Sequence, residues 1–141
     1  MGVKIVVAED DRSTLAYLEK TLILQGFWVY GTRDGAEAFE VIKEEMPDLV
    51  ISDMLMPKLH GLDLCTKIKE SPELQHIKVI MITGVYPGSL GQREALSHGA
   101  DSFIVKPIDP DHLVDRIFEL LNINANKFRK EFVKQNSEEK E

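Results

Sequence analysis

The 141-residue chain has one cysteine, one tryptophan, and no apolar run long enough to cross a bilayer. A lone Cys65 excludes an internal disulfide framework and a cysteine-based zinc site; it suits a reducing compartment and reads as a small buried apolar side chain. The N-terminus lacks the charged-then-apolar pattern of a secretory signal, and Val6 stands where a myristoylation motif needs Ser or Thr. A cytoplasmic protein without membrane attachment is expected. Basic charge is also short: 17 Lys and Arg against 24 Asp and Glu leave a net charge of -7, which argues against direct nucleic-acid binding or anionic-membrane binding. No helix-turn-helix, Walker A or G-x-G-x-x-G loop is evident, and the four histidines lack metal-ligand spacing.

What is present is alternation. With 43% hydrophobic and 29% charged residues, the chain has the composition of one globular domain with a real core. Apolar runs of strand length fall at residues 3–8, 27–30, 49–52, 79–82 and 102–105. Several, such as KIVVA and KVIMIT, are apolar at nearly every position, as strands covered on both faces require. Segments of helical period separate them. Leu15, Leu18 and Leu22 share a face of a first helix that Ser13 can cap and Gly26 can end, with Asp11 a further cap or a solvated acid. A second helix enters through Asp34 and stops before Pro47. A third spans about residues 62–69, a fourth about 90–98, and a fifth opens at Pro110. Five strand-helix units joined by right-handed crossovers predict a flavodoxin-like, doubly wound parallel sheet of order 2-1-3-4-5.

The chemistry gathers at strand ends, where open parallel sheets bind ligands. Glu9, Asp10 and Asp11 follow the first strand, Asp53 the third, Thr83 the fourth and Lys106 the fifth. Grouped carboxylates repel unless a cation neutralises them, and an all-oxygen set favours a hard ion such as Mg²⁺, which characteristically takes one or two carboxylates plus a phosphate. Taken singly each residue has an ordinary explanation: Asp53 as a turn or cap, Thr83 as a strand end, Lys106 as a solvated charge, Phe103 as core. Their joint placement on one rim is what those explanations leave out.

The motifs VVAEDD, SDMLMPKLHG, VIMITG and GADSFIVKPI, in this order and at strand ends, resemble the receiver domain of two-component response regulators over about residues 3–121. The resemblance implies Asp53 as phosphoacceptor from a histidine kinase or histidine phosphotransfer protein. It implies Mg²⁺ held by Asp10, Asp53 and the Leu55 carbonyl, with Glu9 acting mainly through water. Thr83, Gly84 and Lys106 correspond to phosphoryl-binding groups, Thr83 and Phe103 to a switch pair, and Pro107 to a Lys-Pro bond that is typically cis. A phosphorylation switch, rather than an enzyme, is then expected, read out on the face of the fourth helix, fifth strand and fifth helix by an effector, a missing output domain or a second copy. A pseudo-receiver that only binds proteins is the alternative. Leu55 and Val85 carry no polar group to orient an attacking water, so slow loss of the phosphoryl group is expected.

Residues 122–141 carry +1 against -8 for the rest, and Leu121, Ala125, Phe128 and Phe132 recur at helical spacing. A receiver domain over 1–121 is therefore expected to be followed by a C-terminal helical extension or linker. Its phenylalanines would favour dimerisation, docking back on the domain, or connection to another module.

Overall fold

A computed structural model describes residues 2–84 and 89–139. Five strands, β1 (Lys4–Ala8), β2 (Trp28–Thr32), β3 (Leu49–Asp53), β4 (Lys78–Thr83) and β5 (Ser102–Val105), form one parallel sheet in the order β2-β1-β3-β4-β5. The helices are α1 (Arg12–Leu24), α2 (Gly35–Glu45), α3 (Gly61–Glu70), α4 (Ser89–Ser97), α5 (Pro110–Leu121) and α6 (Ala125–Glu139). This is the doubly wound, flavodoxin-like architecture expected from the sequence.

The period of two along each strand divides the core into two layers. Val6, Ala8, Val50, Val79 and Met81 face α2, α3 and α4, where Ile42, Leu64, Ile68 and Ala95 pack. Ile5, Val7, Leu49, Ile51, Ile80, Ile82 and Ile104 face α1 and α5, meeting Leu18, Leu22, Leu113 and Ile117. Because both faces are covered, the central strands are apolar throughout, as their uninterrupted hydrophobic runs require. The crossovers leave every strand's carboxyl end on the same rim.

Local differences from the sequence expectation have local causes. Asp11, not Ser13, caps α1: it has extended backbone and its carboxylate accepts from the Thr14 N–H at 2.9 Å, placing Ser13 inside the first turn. β2 runs two residues past its apolar stretch, because Gly31 and Thr32 pair in register with Val7 and Ala8 while Phe27 turns into the core. The α5 helix ends at Asn122 in the left-handed conformation, and the Asn124 carboxamide accepts from the Lys127 N–H to open α6. The tail is thus a separate helix rather than a continuation of α5. It folds back on the domain: the Phe128 ring lies 5.1 Å from Phe27 and 5.4 Å from Phe118, and Phe132 lies against Gly26. The Arg129 guanidinium covers the Phe118 ring at 5.4 Å. Among the described residues, no helix is long and apolar enough to cross a membrane.

Candidate functional site

The strand ends supply the site. Residues following β1 and β3 are neighbours because those strands pair, with Ala8 opposite Ser52. Glu9, Asp10 and Asp53 consequently bring one carboxylate oxygen each to within 4.8 Å of one another. Asp10 is exposed, whereas Glu9 is wholly buried and Asp53 is 9% exposed. Three hard oxygen donors of this kind fit a small divalent cation better than they fit one another without one.

Lys106 enters from the end of β5, its N–H donating to the Thr83 carbonyl at 2.8 Å. Its Nζ donates to Glu9 Oε1 at 2.8 Å and lies 3.5 Å from Asp53 Oδ2. Burial works to lower the Lys106 pKa, but the hydrogen bond to Glu9 and the charges of Asp53 and Glu9 outweigh it and hold the ammonium above its ordinary value. Burial also raises Glu9, more than its bonds to Lys106 and to the Asp11 N–H lower it, and the Asp53 charge raises it further. The second Glu9 oxygen accepts that Asp11 N–H at 3.1 Å. The rim is therefore acidic, with one ammonium set into it.

Thr83 is buried at the end of β4 and Gly84 is exposed beside it, where a Cβ would meet the Lys106 Cβ at 3.3 Å. Phe103 on β5 is half-buried and packs against the layer that holds α2, α3 and α4. The Lys106–Pro107 peptide is cis. Leu55 is exposed next to the site, and its N–H points to Asp53 Oδ1 at 3.5 Å. Val85, expected to offer no polar group to an attacking water, lies outside the described residues. The cleft on the α1 side of Lys106 is lined by Ser13, Thr14, Tyr17, Pro107 and Ile108.

Glu9, which the resemblance implies acts on the metal mainly through water, is also the nearest partner of Lys106, a contact across 97 positions of chain that the sequence pattern does not signal. His98 shares a 2.7 Å hydrogen bond with the Thr66 hydroxyl, tying the end of α4 to α3.

Residues 5–118 match the response regulator receiver domain family, and the chain belongs to that family. Among curated relatives it is 36% identical over 119 residues to "Probable transcriptional regulator ycf27" of Guillardia theta, covering 84% of this chain and 45% of that protein. It is 34% identical to the phosphate regulon transcriptional regulatory protein PhoB of Rhizobium meliloti, covering 84% of this chain and 52% of that one. A solved receiver domain from a signal transduction histidine kinase of Syntrophus aciditrophicus superposes with a TM-score of 0.79 at 34% identity, over 86% of this chain and 91% of the other. The chain spans about half the length of the transcriptional regulators it matches.

Proposed function

We propose that this receiver domain is switched by phosphorylation of Asp53. A phosphohistidine on a kinase or phosphotransfer protein presents its phosphorus to an Asp53 carboxylate oxygen; the P–O bond forms as the P–N bond breaks, and the leaving imidazole nitrogen is protonated from solvent. The observation carrying this reading is the Lys106 ammonium, 3.5 Å from Asp53 and held in its charged form, beside an acidic cluster at the strand ends. Lys106, Thr83 and the Gly84 N–H are the groups that would take the three phosphoryl oxygens. Glu9, Asp10, Asp53 and the Leu55 carbonyl would hold Mg²⁺, which when bound supplies positive charge against the repulsion between Asp53 and the incoming dianion.

Phosphorylation then draws Thr83 toward the new oxygens, and Phe103 moves into the space beside it. This alters the face formed by α4, β5 and α5, where Leu96 and Val105 are already half exposed. An effector, an attached output module or a second copy of the chain would read that face. Leu55 offers no polar group to a hydrolytic water, which supports slow decay of the phosphoaspartate. The setting is the cytoplasm, where histidine kinases deliver the phosphoryl group. Beryllofluoride with Mg²⁺ tests the switch: amide chemical shifts around Thr83 and Phe103 should move in the wild type and stay fixed in Asp53→Asn. A wild type that does not respond would leave the pseudo-receiver reading.

A further inference from the structure

The segment that follows Asp53 is pinned at its two ends. The Met54 N–H donates to the Ile82 carbonyl at 2.9 Å, and the Gly61 N–H returns to the Met54 carbonyl at 2.9 Å. Between them the chain bends sharply at Lys58, whose φ is +68°, with the Leu59 N–H donating to the Pro57 carbonyl at 2.8 Å. A three-residue turn with positive φ at a lysine is a strained conformation that its surroundings must hold in place. The surroundings are the first residue of α2. Gly35 is buried, and a Cβ added there would run into the Leu59 carbonyl oxygen and would stand 2.7 Å from the Leu59 Cβ. Beside it the Asp34 carboxylate, which caps α2 through the Glu37 N–H at 2.8 Å, lies 3.5 Å from Lys58 Nζ. That ion pair is largely exposed on the lysine side and adds little by itself. Backbone pressed on backbone is the stronger restraint.

We propose that Gly35 is a positioning residue for the metal site. The amino end of α2 is the wall against which the bend at Lys58 rests, and this contact sets where the Leu55 carbonyl stands relative to Glu9, Asp10 and Asp53. The inference rests on the Mg²⁺ site proposed above. A methyl group at position 35 displaces Leu59, and the displacement travels back along four residues, against only the buried Met56 side chain and the largely exposed Lys58–Asp34 ion pair.

The test is Mg²⁺ titration by isothermal calorimetry of the wild type, Gly35→Ala, Ala36→Gly and Asp10→Ala. Gly35→Ala is expected to weaken Mg²⁺ binding by about tenfold, the scale of losing an outer-shell support of a metal site. Ala36→Gly loosens the same turn of α2 at an exposed position and should leave the affinity unchanged, which separates positioning from general stability. Leu59→Gly, which frees the backbone abutting Gly35 to leave its seat, should also weaken binding and serves where Gly35→Ala does not fold. Wild-type affinity in either loop-contact variant, or equal weakening in Ala36→Gly, overturns the proposal while leaving the metal site standing. A wild type that binds no Mg²⁺, or an Asp10→Ala that binds as tightly as the wild type, overturns the site and the wall together.

Discussion

Lys106 Nζ donates to the buried carboxylate of Glu9 at 2.8 Å, closer than its 3.5 Å approach to Asp53. The ammonium thus neutralises the less accessible of the two acids while facing the more accessible one. Lys106→Met leaves Glu9 buried without its cation and should cost about 2 kcal/mol at neutral pH, discounted from the full price of breaking a buried pair because Lys106 is partly exposed. Glu9 is raised in the folded state, and without Lys106 more so, so the deficit should shrink as pH falls and Glu9 takes up a proton. Urea denaturation of both proteins at about pH 7.5 and about pH 5.5 measures this; a deficit independent of pH would contradict it.

The α3 helix begins without a side-chain cap. His60 occupies the cap position with extended backbone, φ -64° and ψ 152°, but makes no capping hydrogen bond. His60→Ser supplies the missing acceptor at an exposed position and should raise stability by about 1 kcal/mol in equilibrium denaturation. No gain would mean that the first turn of α3 is already satisfied by solvent.

The α6 helix is held by aromatic contacts rather than by a continuous helical rod. Phe128→Ala removes the ring that meets both Phe27 and Phe118 and should cost about 2 kcal/mol, less than a fully buried phenylalanine because Phe128 is only half-buried. A loss below about 0.5 kcal/mol, the scale of an ordinary surface substitution, would show that the helix contributes nothing to the core.

Asp34 gives a pH signature of its own. The Glu37 N–H it accepts, followed by the Lys58 charge, holds its carboxyl below the ordinary range. A carboxyl depressed on folding stabilises the protein above its unfolded pKa and loses that contribution as pH falls through the folded value. Wild type should therefore exceed Asp34→Asn in thermal midpoint near neutrality and lose that advantage below about pH 4. An advantage that persists in acid would place its origin elsewhere.

The sheet was legible because burial on both faces forces unbroken apolar strands such as KVIMIT, and the helices because Leu15, Leu18 and Leu22 or Leu113 and Ile117 repeat at helical spacing. Choosing between Asp11 and Ser13 as the cap of α1 was beyond composition: both are good caps, and backbone dihedrals decide. The end of β2 was hidden because Gly31 and Thr32 have their strand conformation imposed by pairing with β1. Strand order brought Asp10, Asp53 and Lys106 to one rim. The Glu9–Lys106 bond, the rest of Phe128 on Phe27 and the seat of Leu59 on Gly35 depend on three-dimensional proximity between distant segments, for which local periodicity carries no signal.

The most direct measurement is intact mass after incubation with acetyl phosphate. With Mg²⁺, the wild type should gain one phosphoryl group, stable enough to outlast the removal of donor, and Asp53→Asn should gain none; omission of Mg²⁺ should abolish the gain in the wild type. Phosphorylation of Asp53→Asn to the same extent, or a wild type that stays unmodified with the metal present, would contradict the assignment of Asp53 as the acceptor.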